Sequence, residues 1–199
     1  MGEIKNVLDF WFGHIVEDAE YLASRSALWF GKSEIVDGEI RRRWKSTHAE
    51  LVRDSAHEWQ GTPTGRLAAV IVLDQFSRNM YRGDATAFAS DGLALKLVEE
   101  GMSAGVDRVL HPVQRSVFYL PLQHSENLSI QRQSVAAYAK LVHDSPRPLK
   151  DGFAENLDFA IRHLEIIEKF GRFPHRNAVL GRPSTAAETE FLKGPGSSF

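Results

Sequence analysis

The sequence predicts an all-α protein, and three observations carry that expectation. Apolar residues recur at i, i+3, i+4 and i+7, as in Ile4, Val7, Leu8 and Trp11. Helix start signals recur along the chain, at Ser33, at Thr62-Pro63 and at Thr185-Ala-Ala-Glu188. No Asn-Gly or Asp-Gly step sits between alternating apolar and polar runs, so hairpin signals are missing.

Taken in order, the first apolar stripe is closed by Gly13. A second Trp-Phe-Gly stands at 29–31, but two such tripeptides make no repeat. Ser33 caps a long helix expected to reach about Trp59, with Ile40, Trp44 and Leu51 on one stripe. Arg41, Arg42, Arg43 and Lys45 surround that stripe and read as a solvated face. Thr62 and Pro63 open a helix to about Met80. Leu67, Val70, Ile71, Leu73 and Phe76 make it apolar almost all round, which marks it as central. Gly83-Asp84 turns the chain into a helix from about Ala85 to Glu100, and a loop spans Gly101 to Gly105. Pro112 opens a helix towards His124, and Ser125 is the expected cap of one from Glu126 to His143. After Ser145-Pro-Arg-Pro148, a helix runs from about Lys150 to Phe170 and ends at Gly171, and Thr185 opens a short last one. That makes about eight or nine helices on short loops, antiparallel in pairs, stacked as a bundle or as an α–α superhelix.

Composition excludes several classes. The 199 residues, 43% hydrophobic and 25% charged, fit one globular domain, taken as 1–193 with a flexible tail at 194–199. A formal net charge of −2 provides no basic field for nucleic acid. The absence of cysteine excludes disulfides, a thiol nucleophile and thiolate metal sites. The longest strongly apolar run, Ala68 to Leu73, is far below the roughly 20 residues that span a bilayer. The charged N-terminal stretch is no signal peptide, so a cytoplasmic location is expected, without membrane partners. P-loop, dinucleotide-binding, zinc-helix and nucleophile-elbow signatures are all missing, and the identity of any cofactor or metal is left open.

Four polar clusters fall where the pattern predicts interior. The first holds Asp74, Gln75, Arg78, Asn79 and Arg82, with i, i+4 spacings that pair Asp74 with Arg78 and Gln75 with Asn79. It is either a network fastening a helix end or a wall on which Asp74 aims Arg78 at a carboxylate or phosphate. The second joins His124 and Glu126, an acid–base or metal-ligand pair, or a helix cap beside a buried histidine. The third is His163, on a face with Phe159, Ala160, Ile167 and Phe170. It is a core histidine or, kept neutral by burial, a general base. The fourth gathers Arg172, His175, Arg176, Asn177 and Arg182 around turns that expose backbone N–H groups. It is a pinned connection or an anion site.

The segments Val7-Leu-Asp-Phe-Trp-Phe-Gly13, Leu73-Asp-Gln-Phe-Ser-Arg-Asn79, Leu120-Pro-Leu-Gln-His-Ser-Glu126, Phe170-Gly-Arg-Phe-Pro-His-Arg-Asn177 and Leu180-Gly-Arg-Pro-Ser-Thr185 resemble, in this order, the bacterial family called domain of unknown function 924. Ser77 and Gln123 stand where the family pattern has Pro and Met, and neither change removes a charged residue. The resemblance implies a tetratricopeptide-like α–α superhelix and no activity. Two functions follow from the clusters. One is a binding module for a small anion or acidic peptide, using Asp74, Gln75, Arg78, Asn79, Arg82, Arg172, His175, Arg176, Asn177 and Arg182. The other is a hydrolase or lyase in which His124, Glu126 and His163 supply acid–base groups or metal ligands.

Overall fold

The structure, a computed structural model, describes residues 2–197. Those residues form helices and connections, with no strand among them. Helix α1 (Gly2–Phe12) buries Val7, Trp11 and Phe12 and stops at Gly13, whose φ of +60° lets its N–H reach Asp9 O at 2.8 Å. Asp18 caps α2 (Ala19–Phe30), and Ser33 caps α3 (Glu34–Arg53).

Helix α3 ends six residues short of the expected Trp59. Asp54 Oδ1 takes the Ala56 N–H at 3.0 Å, a local bond that competes with continued helix. Ser55 and Ala56 then adopt left-handed φ values of 56° and 57°, and a 3₁₀ turn covers His57–Trp59. A left-handed non-glycine residue costs about 1 kcal/mol or more. Ala56 is fully buried, so tertiary packing holds the bend.

The central helix opens as expected. Thr62 caps α4 (Pro63–Val70), and Gly65 is required there because a Cβ would lie 2.4 Å from Trp59 O. The chain continues through a π-helical segment (Ile71–Phe76), in which every residue is buried, into α5 (Ser77–Met80). A helix expected from Ala85 is instead a 3₁₀ turn (Ala85–Phe88) capped by Asp84, followed by α6 (Asp91–Ser103). Helix α6 runs through Gly101, where a Cβ would meet the Phe118 ring at 2.8 Å, so the expected loop shrinks to Ala104 and Gly105.

Helices α7 (Val106–Val109), α8 (Pro112–Phe118) and α9 (Leu120–His124) follow. Asn127, not Ser125, caps α10 (Leu128–Asp144), and Ser125 Oγ accepts the Asn127 N–H. Helix α11 (Arg147–Phe170) begins three residues earlier than expected because Pro148 is tolerated in a first turn. Gly171, at φ +68°, ends it. A last short helix, α12 (Ala186–Phe191), carries the full Thr185–Glu188 capping box.

Helices α10 and α11 pack along one another, while α4 meets α1, α6, α7 and α8, and the π segment and α5 lie on α3. The centre is aromatic. Phe76 from the π segment sits 4.6 Å from Trp44 and 5.5 Å from Trp11, measured between ring centroids. A smaller cluster of Ile166, Ile167 and Phe173 is separate from it. Of the expected tail, Gly194 and Ser197 turn back to Phe191 O and Leu192 O, and residues 198 and 199 lie outside the described residues. No helix among the described residues is long and apolar enough to cross a membrane. Phe76→Ala should cost about 4 kcal/mol and lower the melting temperature by roughly 10 °C, read by calorimetry. A loss under about 1 kcal/mol would contradict the central place given to this ring.

Candidate functional site

The π-helical segment places Asp74 at 0% exposure, among apolar residues. A bare carboxylate there would be prohibitively costly. Three groups compensate it. His124 Nδ1 lies 2.7 Å from Oδ1, and because a carboxylate only accepts, the imidazole donates. Gln75 Nε2 donates to Oδ2 at 2.6 Å. Arg78 Nη1 stands 3.1 Å from Oδ1 and donates to the Asp74 carbonyl at 2.9 Å. Burial alone would raise the Asp74 pKa, but Arg78 and His124 outweigh it and hold the carboxyl well below the usual range.

Arg78 is a junction. It also makes a two-bond fork, 2.9 and 3.0 Å, to Asp91 at the start of α6. Asp91 in turn lies 3.7 Å from Arg176 Nη1. Arg176 is only 8% exposed. Its Nη1 donates to His124 O at 3.0 Å, and its guanidinium lies over the rings of Phe173 (4.5 Å) and Phe88 (4.8 Å). Its Nε–H is enclosed and has no acceptor among the described residues. Burial, and then the charge of Arg78, lower its pKa to about 10.

Burial followed by Arg78 lowers the His124 pKa, so the ring is neutral near pH 7. With Nδ1 carrying the proton, Nε2 is unprotonated. It has no hydrogen-bond partner among the described residues, and 15% of the side chain is exposed. His163 and His175 stand near enough to feel the same charges. Burial pushes His163 down to about 3 and His175 to about 4. His163 Nδ1 donates to Phe159 O at 2.7 Å, and both rings border Phe173.

The clusters read from sequence therefore meet in part. Asp74, Gln75, Arg78, His124, His163, His175 and Arg176 come together from four parts of the chain. The others turn elsewhere. Asn79 and Arg82 both bond Asp37 of α3, Arg82 with two bonds of 2.7 and 2.9 Å. Gln75 braces Asp74 and makes no pair with Asn79. Arg172 forks onto Glu188. Glu126 does not pair with His124. It receives Arg182 at 2.7 and 3.0 Å and the Phe173 N–H at 2.8 Å. Asn177 joins Arg182 and Ser184.

Asp91, Phe88 and Phe173 belong to the site and were not singled out in the sequence. Among the described residues no group of three or more His, Asp or Glu side chains is placed to hold a metal ion. A separate groove of ≈ 680 Å³, floored by Ile4, Leu8, Phe12 and Trp59, contains none of these residues.

Residues 7–196 match the family model described as a bacterial protein of unknown function, DUF924. The chain belongs to this family. A solved structure of a protein of unknown function from Agrobacterium tumefaciens is 29% identical, with a TM-score of 0.81 over 97% of this chain and 98% of that one. No curated protein matches the sequence. As a DUF924 member the chain inherits a fold and no assigned chemistry, so its function is read from its own side chains.

The lowered histidines set a pH dependence. The unfolded chain binds their protons near pH 6.5, and the folded chain only near 4 and 3. Stability is therefore complete above about pH 6.5 and falls as pH drops through that window, by roughly 1.4 kcal/mol per unit per histidine at most. Urea unfolding at pH 7 and pH 5 should differ by a few kcal/mol, and His163→Phe should make the slope shallower. A flat profile between these pH values would contradict the burial of both rings.

Proposed function

We propose that the protein binds a small anion, a carboxylate or a phosphate group, at Arg176. The observation that carries this reading is the under-paired guanidinium: Arg176 is 8% exposed, clamped between Phe88 and Phe173, and its enclosed Nε–H lacks an acceptor among the described residues. An unmet buried donor costs about 1–3 kcal/mol, more when charged. Anion oxygens bonding the remaining N–H groups of the guanidinium would supply the missing counter-charge. The other arginines of the sequence reading are already forked onto Asp37, Glu188 and Glu126. That concentrates the proposal on Arg176, with Arg78 and His124 beside it.

Little of the site reaches solvent. Arg78, Asp91 and His124 keep 22, 21 and 15% of their side-chain exposure. A single head group fits this better than an extended chain, whether it belongs to a free metabolite or ends an acidic peptide. The tetratricopeptide-like stacking implied by the family resemblance forms part of the same proposal, and the long pairing of α10 with α11 supports it.

Thermal shift with inorganic phosphate and with succinate tests the reading. At about 100 times its Kd, a bound anion adds roughly 2.7 kcal/mol, a rise on the order of 5–10 °C. Arg176→Met should abolish the shift and leave the protein at least as stable, since an apolar isostere replaces an ill-paired buried charge. A shift that persists in Arg176→Met, or a variant that unfolds, would make this arginine structural.

A further inference from the structure

The same cluster holds a group that anion binding does not use. His124 is fixed through Nδ1 by a carboxylate at 2.7 Å, 15% of its side chain is exposed, and its Nε2 has no hydrogen-bond partner among the described residues. A ring held by an acceptor on one nitrogen and unprotonated on the other is the arrangement of a general base. Asp74 is itself held by Gln75 and Arg78 and cannot swing away. The anion anchor is one residue's length from the base, because Arg176 Nη1 bonds the carbonyl of His124 itself.

We infer that this site is hydrolytic: His124 Nε2 activates water against an ester that carries an anionic group held by Arg176. The choice of anionic ester rests on the anion reading above, whereas the Asp74–His124 pair does not. No serine or threonine hydroxyl among the described residues bonds Nε2, and the chain has no cysteine, so the nucleophile comes from solvent. The step balances. Nε2 takes a proton from water as the water oxygen bonds to the ester carbonyl carbon. The tetrahedral adduct then collapses, the carbon–oxygen bond to the leaving alkoxide breaks, and the imidazolium returns the proton to that oxygen. The products are an acid and an alcohol, and the ring ends neutral as it began.

In this scheme His124 is the catalytic residue, and Asp74 is a positioning residue that sets the tautomer. Glu126, one turn of chain away, takes no part, since both its oxygens are occupied by Arg182 and the Phe173 N–H. His163 and His175 are held neutral beside Phe173, which keeps further positive charge from the base.

The test follows release of p-nitrophenol by the full chain from p-nitrophenyl hemisuccinate and from the neutral p-nitrophenyl acetate. The hemisuccinate should turn over well above the acetate. His124→Gln should lower kcat about 100-fold or more, with an unchanged circular dichroism spectrum. Arg176→Met should chiefly raise KM for the hemisuccinate. Nitrogen NMR of the wild type at neutral pH should show His124 as the Nδ1–H tautomer, and Asp74→Asn should erase that preference. If Asp74→Asn fails to fold, the wild-type tautomer and His124→Gln carry the test. No release above the buffer rate while phosphate still binds, or release unchanged in His124→Gln, overturns the hydrolytic assignment. Equal turnover of both esters, indifferent to Arg176→Met, keeps the base and overturns the anionic substrate.

Discussion

One buried charge organises this protein. Asp74 sits in a widened π-helical turn beside the apolar run Ala68–Leu73, with no exposure to solvent. Its carboxylate is tolerable only because Arg78, Gln75 and His124 surround it. Those partners draw three elements together: Arg78 reaches to Asp91 on α6, and His124 closes α9. The polar junction thereby ties the π-helical segment, α6 and α9 to one another. Such turns recur at functional sites because the widened backbone turns a side chain away from the regular row.

Around this centre, charge is matched almost pair by pair. Asp37 receives Arg82 and Asn79, Glu126 receives Arg182, and Glu188 receives Arg172. Each fork joins segments far apart in the chain or closes a turn, so these are fasteners of the fold. Arg176 differs from them. Its nearest carboxylate among the described residues is Asp91 at 3.7 Å, and Asp91 is already committed to Arg78. The aromatic clamp of Phe88 and Phe173 makes up part of the shortfall by cation–π contact and leaves the Nε–H unmet.

Local chemistry was legible in the sequence and remote chemistry was not. The caps at Ser33, Thr62 and Thr185 form as read, because a cap needs only a side-chain oxygen and the next three N–H groups. The Asp74–Arg78 pair forms across a single turn. Asp37 gave no hint of its partner, since Arg82 lies 45 residues away. Asp91 reads as a first-turn acid of an ordinary helix, and only the folded chain brings it to Arg78 and Arg176. The bend after α3 also escaped notice, because it takes burial of Ala56 to hold two residues in a left-handed conformation. His124 and Arg176 were both singled out, but nothing in their spacing placed the guanidinium of one on the carbonyl of the other.

The small apolar cluster at the C-terminal end divides the molecule in a way the static picture hides. Ile166, Ile167 and Phe173 are its buried members, apart from the main core that encloses Asp74. A segment anchored by so few apolar contacts opens at lower free energy than the body it rests on. Arg176 rides on that segment, three residues beyond Phe173, whereas Asp74 and His124 belong to elements lodged in the main core. The two halves of the site thus rest against different apolar clusters. Opening of the smaller cluster alone would withdraw the guanidinium and leave the imidazole–carboxylate pair in place.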